Sequence, residues 1–486
     1  MINLELNKNQ IEKNAKICRE RNIIVPTFEQ MRNPEKIPQK IKDELKTIGL
    51  WDVHPRNLFR ISWHNDPLKK GGGFGKVNYL VLPQELTGVK AKIVALVGKW
   101  FPTGAHKVGA SFGCLAPALI TGQFDPVFTK AVWPSTGNYC RGGAYVSVLL
   151  ACSSIAILPE EMSKERFEWL SRIAGEVIAT PGCESNVKEI FDKCNELLKT
   201  RTDIKIFNQF DQPGNHLWHY SITGPAMEEV LAIELPKGSH YRGVVLSSGS
   251  SGTLGCGDYL KEKFPYSKLA VSEALQCPTI LNNGFGGHRI EGIGDKHIPW
   301  IHNVKNTDMA MAIDDNLTMR ILQLFNENEG KKYLKKKKVD EKIINKLDLF
   351  GISSIANMLS AIKFARYYEL SENDIVLTVF TDSMELYDSR VKELNEKTDG
   401  YDGYKAAEDY GALMSFSTDN IQELTYPDRK RIHNLKYYTW VEQQGKDIKE
   451  LNSQWYDFDD YWNSIHEKEK EIDKLIKEFN DKVGLI

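Results

Sequence analysis

From about residue 90 to residue 390 the chain alternates short runs of β-branched and apolar residues with longer stretches whose apolar positions recur at helical spacing. Strands that read as near-continuous apolar runs need cover on both faces, and parallel strands need a crossover about as long as a helix between them. The pattern therefore predicts an α/β fold of parallel layers. Strands are expected at 92–97, 154–158, 177–180, 205–210, 243–247, 269–272 and 375–380. Between them, 163–175 places Phe167, Leu170, Ile173 and Ala174 on one face and predicts a surface helix closed by Gly175. A second helix is expected at 354–368, with Ile355, Met358, Leu359, Ile362 and Ala365 on its packing face. A third, at 225–232, opens on Pro225, where a missing N–H is tolerated.

The first 90 residues and those after about 390 carry more charge, asparagine and aromatic side chains, and their strand signals are weak. The expected division is an N-terminal extension at 1–90 packing on a large domain, a small domain at 91–225, the large domain at 226–390, and a helical extension at 391–486. Within the last, Ile472, Leu475, Ile476 and Phe479 repeat along an amphipathic helix at 466–483 that packs on the body. Sixty-three basic side chains against sixty-five acidic ones leave a net charge of −2, which excludes the global field that a nucleic acid or an anionic membrane would require. The expected partner is a small molecule. The basic run at 331–338 (KKYLKKKK) reads as a solvated face. Eight cysteines form no C-x-x-C pair and no zinc-ligand spacing, so no metal is expected and a reduced, cytoplasmic chain fits. The amino terminus is polar from its start, and no stretch approaches the roughly eighteen apolar residues of a membrane span.

Three segments carry chemistry. In KWFPTGAHKVGA (99–110) a strand gives way to a Pro-Thr-Gly turn and then to Lys107 at the start of a helix. The positive end of the helix dipole disfavours an ammonium there, and a neutral amine is what imine chemistry needs. In WPSTGNYCRGG (133–143) the Ser135 and Thr136 hydroxyls and the amides of a helix start can cradle a carboxylate. In SSGSSGTLGCG (247–257) glycines and hydroxyls lead into a helix at Thr253, the composition of a phosphate cup. The third segment lacks the lysine of a Walker loop and the G-x-G-x-x-G spacing of a dinucleotide site.

These segments, in this order, resemble those of the fold-type II pyridoxal-phosphate enzymes, the family of cysteine synthase, cystathionine β-synthase, threonine synthase and the tryptophan synthase β chain. NQFDQPGNHLWHYSITG (208–224), EGIGDKHIP (291–299) and GISS (351–354) are similar to the cysteine synthase branch. The resemblance implies two domains, each with a twisted, mostly parallel sheet flanked by helices, and pyridoxal 5′-phosphate in the cleft between them. It implies that Lys107 holds the cofactor as a Schiff base and moves protons, and that Asn138 binds its phenolic oxygen. The loop of Gly249, Ser250, Ser251, Gly252 and Thr253 would hold the phosphate, and Ser353 would meet the pyridine nitrogen. Ser135, Thr136, Gly137 and Gln209 would grip the substrate carboxylate, and Gly292 would line the loop beside it. The family expectation is a homodimer.

A neutral hydroxyl at the pyridine nitrogen does not force its protonation, so the ring is a weaker electron sink than one facing a carboxylate. That favours expulsion of a β-substituent, giving an aminoacrylate that adds a nucleophile or is hydrolysed. Tyr139 departs from the branch, where a small residue follows the asparagine, and implies a narrower or differently hydrogen-bonded substrate pocket. Cys140 and the tryptophans Trp133, Trp218 and Trp300 read as packing residues. The chain exceeds a minimal member of the family in its two extensions. An alternative is therefore a carbon–carbon-cleaving β subunit like that of 2-amino-4-ketopentanoate thiolase, working with a small α subunit. A third reading is a non-catalytic protein that keeps the cofactor.

Overall fold

A computed structural model of the chain describes residues 1–397 and 400–485. Its eleven strands among those residues are β1 (Tyr79–Leu82), β2 (Lys92–Val97), β3 (Lys130–Pro134), β4 (Ser154–Pro159), β5 (Glu176–Thr180), β6 (Ile204–Ile206), β7 (His240–Ser247), β8 (Lys268–Ala274), β9 (Met309–Ile313), β10 (Asp374–Phe380) and β11 (Ile421–Glu423). They form a seven-stranded sheet in the order β1-β2-β10-β7-β8-β9-β11 and a four-stranded sheet in the order β5-β4-β3-β6. The smaller sheet is wholly parallel, and the larger is parallel except for its antiparallel edges, β1 and β11. Every residue of β4 and β10 is buried, which is why both read as continuous apolar runs and not as alternating ones.

Four strands escape the sequence pattern. β9 is MAMAI, whose methionines and alanines favour helices, yet it is fully buried beside β8 and takes its conformation from that setting. β1, β3 and β11 are three to five residues long and too brief to show a period. β11 also interrupts the flank expected to be helical. The strand expected at 205–210 ends at Ile206, and the following residues turn away to carry Gln209. β2 pairs with β10 in the larger sheet, so residues 92–97 lie outside the small domain in which 91–225 had been grouped.

The helix expected at 163–175 spans Lys164–Ile173 and leaves through extended backbone at Ala174, because β5 begins at Glu176. Gly175 therefore adopts no left-handed cap. The helix Ile352–Tyr367 is buried on all sides from Ile352 to Ala365, since it lies against the larger sheet on one side and other helices elsewhere. Pro225 does not open a helix. It sits inside an unbroken helical run made of Pro213–Trp218, a π turn at His219–Thr223, and Gly224–Glu234. The proline cannot donate to the carbonyl four residues back, and that Ser221 oxygen accepts from Arg32 Nη1 at 3.1 Å.

Both flanks belong to the folded body. Helix Lys8–Glu20 packs with the terminal helix Lys468–Val483, and both rest on helix Lys107–Ile120. Ile472, Ile476 and Phe479 are buried in the same cluster as Leu115 and Leu119. Each such side chain contributes about 1.5–3 kcal/mol, enough together to fix the terminal helix in place. The lysine run lies on helix Asn328–Lys336, with Lys335 and Lys336 exposed.

Candidate active site

The parallel strands deliver the site loops at their carboxyl ends, the position where open α/β sheets place ligands. Beyond β2, Thr103 and Gly104 take positive φ of 71° and 74°, and the turn they make sets Lys107 as the first residue of helix Lys107–Ile120. Trp51 lies 2.5 Å from where a Cβ on Gly104 would sit, so only glycine fits there. Lys107 Nζ points at Ser250 Oγ, 2.9 Å away. Burial lowers its pKa to about 8, against a smaller opposing effect of Glu184. The preceding His106 is fully buried, bonds Thr381 through Nε2 at 3.3 Å, and is held neutral by burial and by its neighbour Lys107.

Beyond β3, Ser135 Oγ accepts from the Gly137 amide at 3.0 Å and from Gln209 Nε2 at 3.2 Å. Those two segments are thus tied together in one wall. Gly137 has φ 150°, and Arg166 Nη1 stands 2.1 Å from the site of a Cβ there. Thr136 Oγ1 donates to Glu184. Asn138 Nδ2 donates to Asp382 Oδ2 at 2.6 Å, while its Oδ1 is buried without a partner. Tyr139 lines the cavity with Lys107, and its ring meets Trp133 edge-on at 5.4 Å. Cys140 is buried with its thiol donating to the Gly137 carbonyl, and burial pushes it up to about 12, so it is an inert packing group. Trp133, Trp218 and Trp300 are fully buried in packing roles.

Beyond β7, the loop 248–253 runs into helix Leu254–Lys263 with Thr253 as its N-cap. Ser250 Oγ also receives Asn215 Nδ2 at 3.1 Å, and Asn215 Oδ1 lies 2.0 Å from where a Cβ on Gly252 would stand. Among the described residues no protein acceptor takes the amides of Gly249, Ser250, Ser251 or Thr253. Four free amides and a helix start in one glycine-permitted loop form a cup for a phosphate. Gly292, at φ 103°, brings its carbonyl near Gly249, and a Cβ on it would stand 3.4 Å from Ser353 Oγ. That hydroxyl is buried and has no partner.

Around this frame lie three groups that the sequence reading passed over. Arg166 is buried, with Nη1 3.0 Å from Glu291 and donating to the Thr136 carbonyl at 2.9 Å, and Nη2 donating to Tyr387 at 2.8 Å. Asp382, just beyond β10, accepts from Tyr387 and Asn138, both at 2.6 Å. Glu184, beyond β5, is raised to about 8 by burial, and its Oε2 has no hydrogen-bond partner. The usable signal for Asp382 and Glu184 was their place just past parallel strands. Arg166 was hidden on a helix read as a surface element.

The orphaned oxygens of Asn138 and Ser353, the amide cup and a lysine poised to be neutral fit a phosphorylated aromatic aldehyde. Fold and site thus define an α/β protein that holds such a cofactor between two sheets. Residues 100–382 match the family model described as "Pyridoxal-phosphate dependent enzyme", and the chain belongs to that family, as a fold-type II enzyme that uses pyridoxal 5′-phosphate. It is 26% identical over 315 residues to cystathionine beta-synthase of Saccharomyces cerevisiae, covering 63% of this chain and 58% of that one. It is 27% identical over 287 residues to cysteine synthase of Staphylococcus aureus, covering 59% of this chain and 84% of that one. The crystal structure of the O-acetylserine dependent cystathionine beta-synthase from Helicobacter pylori superposes with a TM-score of 0.53 at 27% identity, over 65% of this chain and 95% of that one.

A pH dependence follows from Lys107. Its ammonium form prevails below about 8 and its reactive neutral form above, so cofactor uptake by the stripped protein is expected to quicken as pH rises through about 8. The rate at which the cofactor's visible absorbance develops, followed from pH 6 to 10, measures it.

Proposed function

We propose that the chain catalyses β-elimination or β-replacement on a β-substituted amino acid, in the manner of its cysteine synthase relatives. The observation that carries this reading is Ser353, a buried, unpartnered neutral hydroxyl across from Gly292, whose carbonyl in turn lies near Gly249. Pyridoxal phosphate bound there supplies a sink for the electrons left when the substrate loses its α-proton, and a neutral partner keeps that sink modest. Lys107 is the group that takes the α-proton. Asn138, Ser353 and the amides of 249–253 orient the cofactor. The Ser135 and Thr136 hydroxyls, the Gly137 amide and Gln209 hold the substrate carboxylate, with Tyr139 and Gly292 closing the pocket. Glu184 keeps its proton up to about pH 8 and lines the same cavity, so it can donate to a leaving group at neutral pH.

The flanks at 1–90 and 391–486 support two lobes around this cleft, and a homodimer in the cytoplasm belongs to the same proposal. All eight cysteines are unpaired thiols, in keeping with a reducing compartment, and no helix among the described residues is long and apolar enough to cross a membrane. The test is a spectral screen of the purified chain alone against O-acetylserine, serine and cysteine. At least one is expected to displace the visible band of the lysine-held cofactor. A loaded protein whose band is moved by none of them, but which turns over with coenzyme A and a second polypeptide, would overturn the reading.

A further inference from the structure

Outside the cofactor site, three segments far apart in the chain bring side chains to one buried point. His216 comes from helix Pro213–Trp218, Asp258 from helix Leu254–Lys263, and His466 from helix Phe458–His466 in the C-terminal flank. His216 Nε2 is 3.1 Å from His466 Nε2 and 3.5 Å from Asp258 Oδ2, and the three donor atoms lie within 4.8 Å of one another. All three residues are buried. The imidazole planes are within 6° of parallel, and Tyr220 stacks on His466 at 3.7 Å, which fixes that ring.

The backbone of Ile301 faces the His216 ring, and Glu262 Oε1 lies 3.7 Å from His466 Nδ1. Nδ1 of each ring is buried without a hydrogen-bond partner among the described residues, so both rings are free to carry the hydrogen there and offer the Nε2 lone pair to an ion between them. Asp258 is oriented by Asn303 at 2.8 Å on Oδ2 and by Asn306 at 2.5 Å on Oδ1. Two imidazole Nε2 atoms and a carboxylate oxygen thus converge on one buried point. The nearby buried Lys436 is engaged elsewhere, its amine donating to the carbonyls of Trp300 and His302 and to Gln454 Oε1.

We infer that His216, Asp258 and His466 bind a divalent transition metal, zinc by preference, that pins the C-terminal flank to the catalytic body. Tetrahedral zinc with bonds of about 2.0–2.1 Å separates its ligands by roughly 3.3 Å, close to the 3.1 and 3.5 Å that His216 Nε2 keeps from its two neighbours. The nitrogen and carboxylate donors suit zinc over calcium or magnesium. Water completes the coordination. The site adjoins the chemistry through one residue. Asn215, next to His216, holds Ser250 Oγ, which in turn accepts from Lys107. A ligand from the flank thus braces the wall of the phosphate loop, which gives the extra length a function.

The test uses the untagged, cofactor-loaded full chain. After dialysis against buffer with zinc and then without it, elemental analysis should find about one zinc per chain, and competition with a chromogenic chelator should give its affinity. His466→Gln and Asp258→Asn are each expected to weaken zinc by roughly 100-fold or more. His433→Gln, a buried histidine of the same flank outside the cluster, should retain it. Stripping zinc should lower the melting temperature of the wild type and leave that of His466→Gln unchanged. A wild type that binds zinc, cobalt and nickel no better than His466→Gln would overturn the inference and leave an imidazole–imidazole hydrogen bond in its place. Because metal content and melting are read apart from turnover, the outcome is independent of the reaction proposed above.

Discussion

Lys107→Ala is expected to lower turnover on the order of 10³-fold or more and to leave the protein without the visible band of a lysine-held cofactor. The loss follows from geometry. Lys107 heads its helix beneath a turn that only Gly104 allows, its amine points into the cavity shared with Gln209 and Gly249, and Ser250 is its single hydrogen-bond partner among the described residues. No other lysine lines that cavity, among the described residues, to take over the role. The substitution should be tolerated by the fold. Alanine is the best helix former, and removing a buried amine relieves a desolvation cost that already lowers its pKa to about 8. The variant should also keep affinity for the cofactor through the amides of 249–253, so equilibrium dialysis can confirm that the site is intact while the visible band is missing. A folded Lys107→Ala protein that turns substrate over at the wild-type rate would remove Lys107 from the chemistry altogether.

What could be read from the sequence was whatever repeats locally. β2, β4, β7 and β10 sit within a residue or a few of their expected bounds, because buried parallel strands are runs of apolar residues whatever surrounds them. Lys107, the 135–138 loop and the 249–253 loop were legible for a different reason. Each needs glycines at positions where a side chain would collide, and those glycines mark the chain. Gly137 against Arg166 and Gly252 against Asn215 are two such places. The rest of the site was faint, marked at Glu184 and Asp382 only by a place just past a parallel strand, because its members meet only in space. Nothing beside Glu184, Asp382 or Arg166 announces that they converge, since each is an ordinary charged residue until burial removes its water. The same holds for His466. It stands 250 residues from His216, and no spacing rule spans that distance. Pro225 shows the converse case, in which a strong local signal was overridden by a π turn and a contact from Arg32.

Arg166→Met tests that buried network, and its expected cost is about 3–5 kcal/mol of stability, the range for removing one member of a buried ion pair. Arg166 is 1% exposed and pairs with Glu291 at 3.0 Å, with Glu184 Oε2 at 4.0 Å. It reaches Asp382 through Tyr387, whose hydroxyl receives Nη2 and donates to the aspartate at 2.6 Å. Methionine fills a similar volume, so the penalty comes from charge and not from a cavity. Glu291 keeps Arg390 at 2.7 Å, whereas Glu184 and Asp382 lose their nearest cation. Both carboxyls are already raised by burial, and without the guanidinium they rise further. A carboxyl raised on folding contributes stability at low pH that is lost as pH climbs through its folded value. The variant should therefore be closest to the wild type near pH 6 and fall increasingly behind above pH 8, in melting temperatures taken across that range. Arg166 also holds the Thr136 carbonyl at 2.9 Å, so the slackened loop should raise KM for the amino-acid substrate more than it lowers kcat. Arg166→Lys, which keeps the charge and loses the fork, should fall between the two. A methionine variant that melts with the wild type at every pH and binds substrate equally well would show that the three carboxylates are held by something other than this arginine.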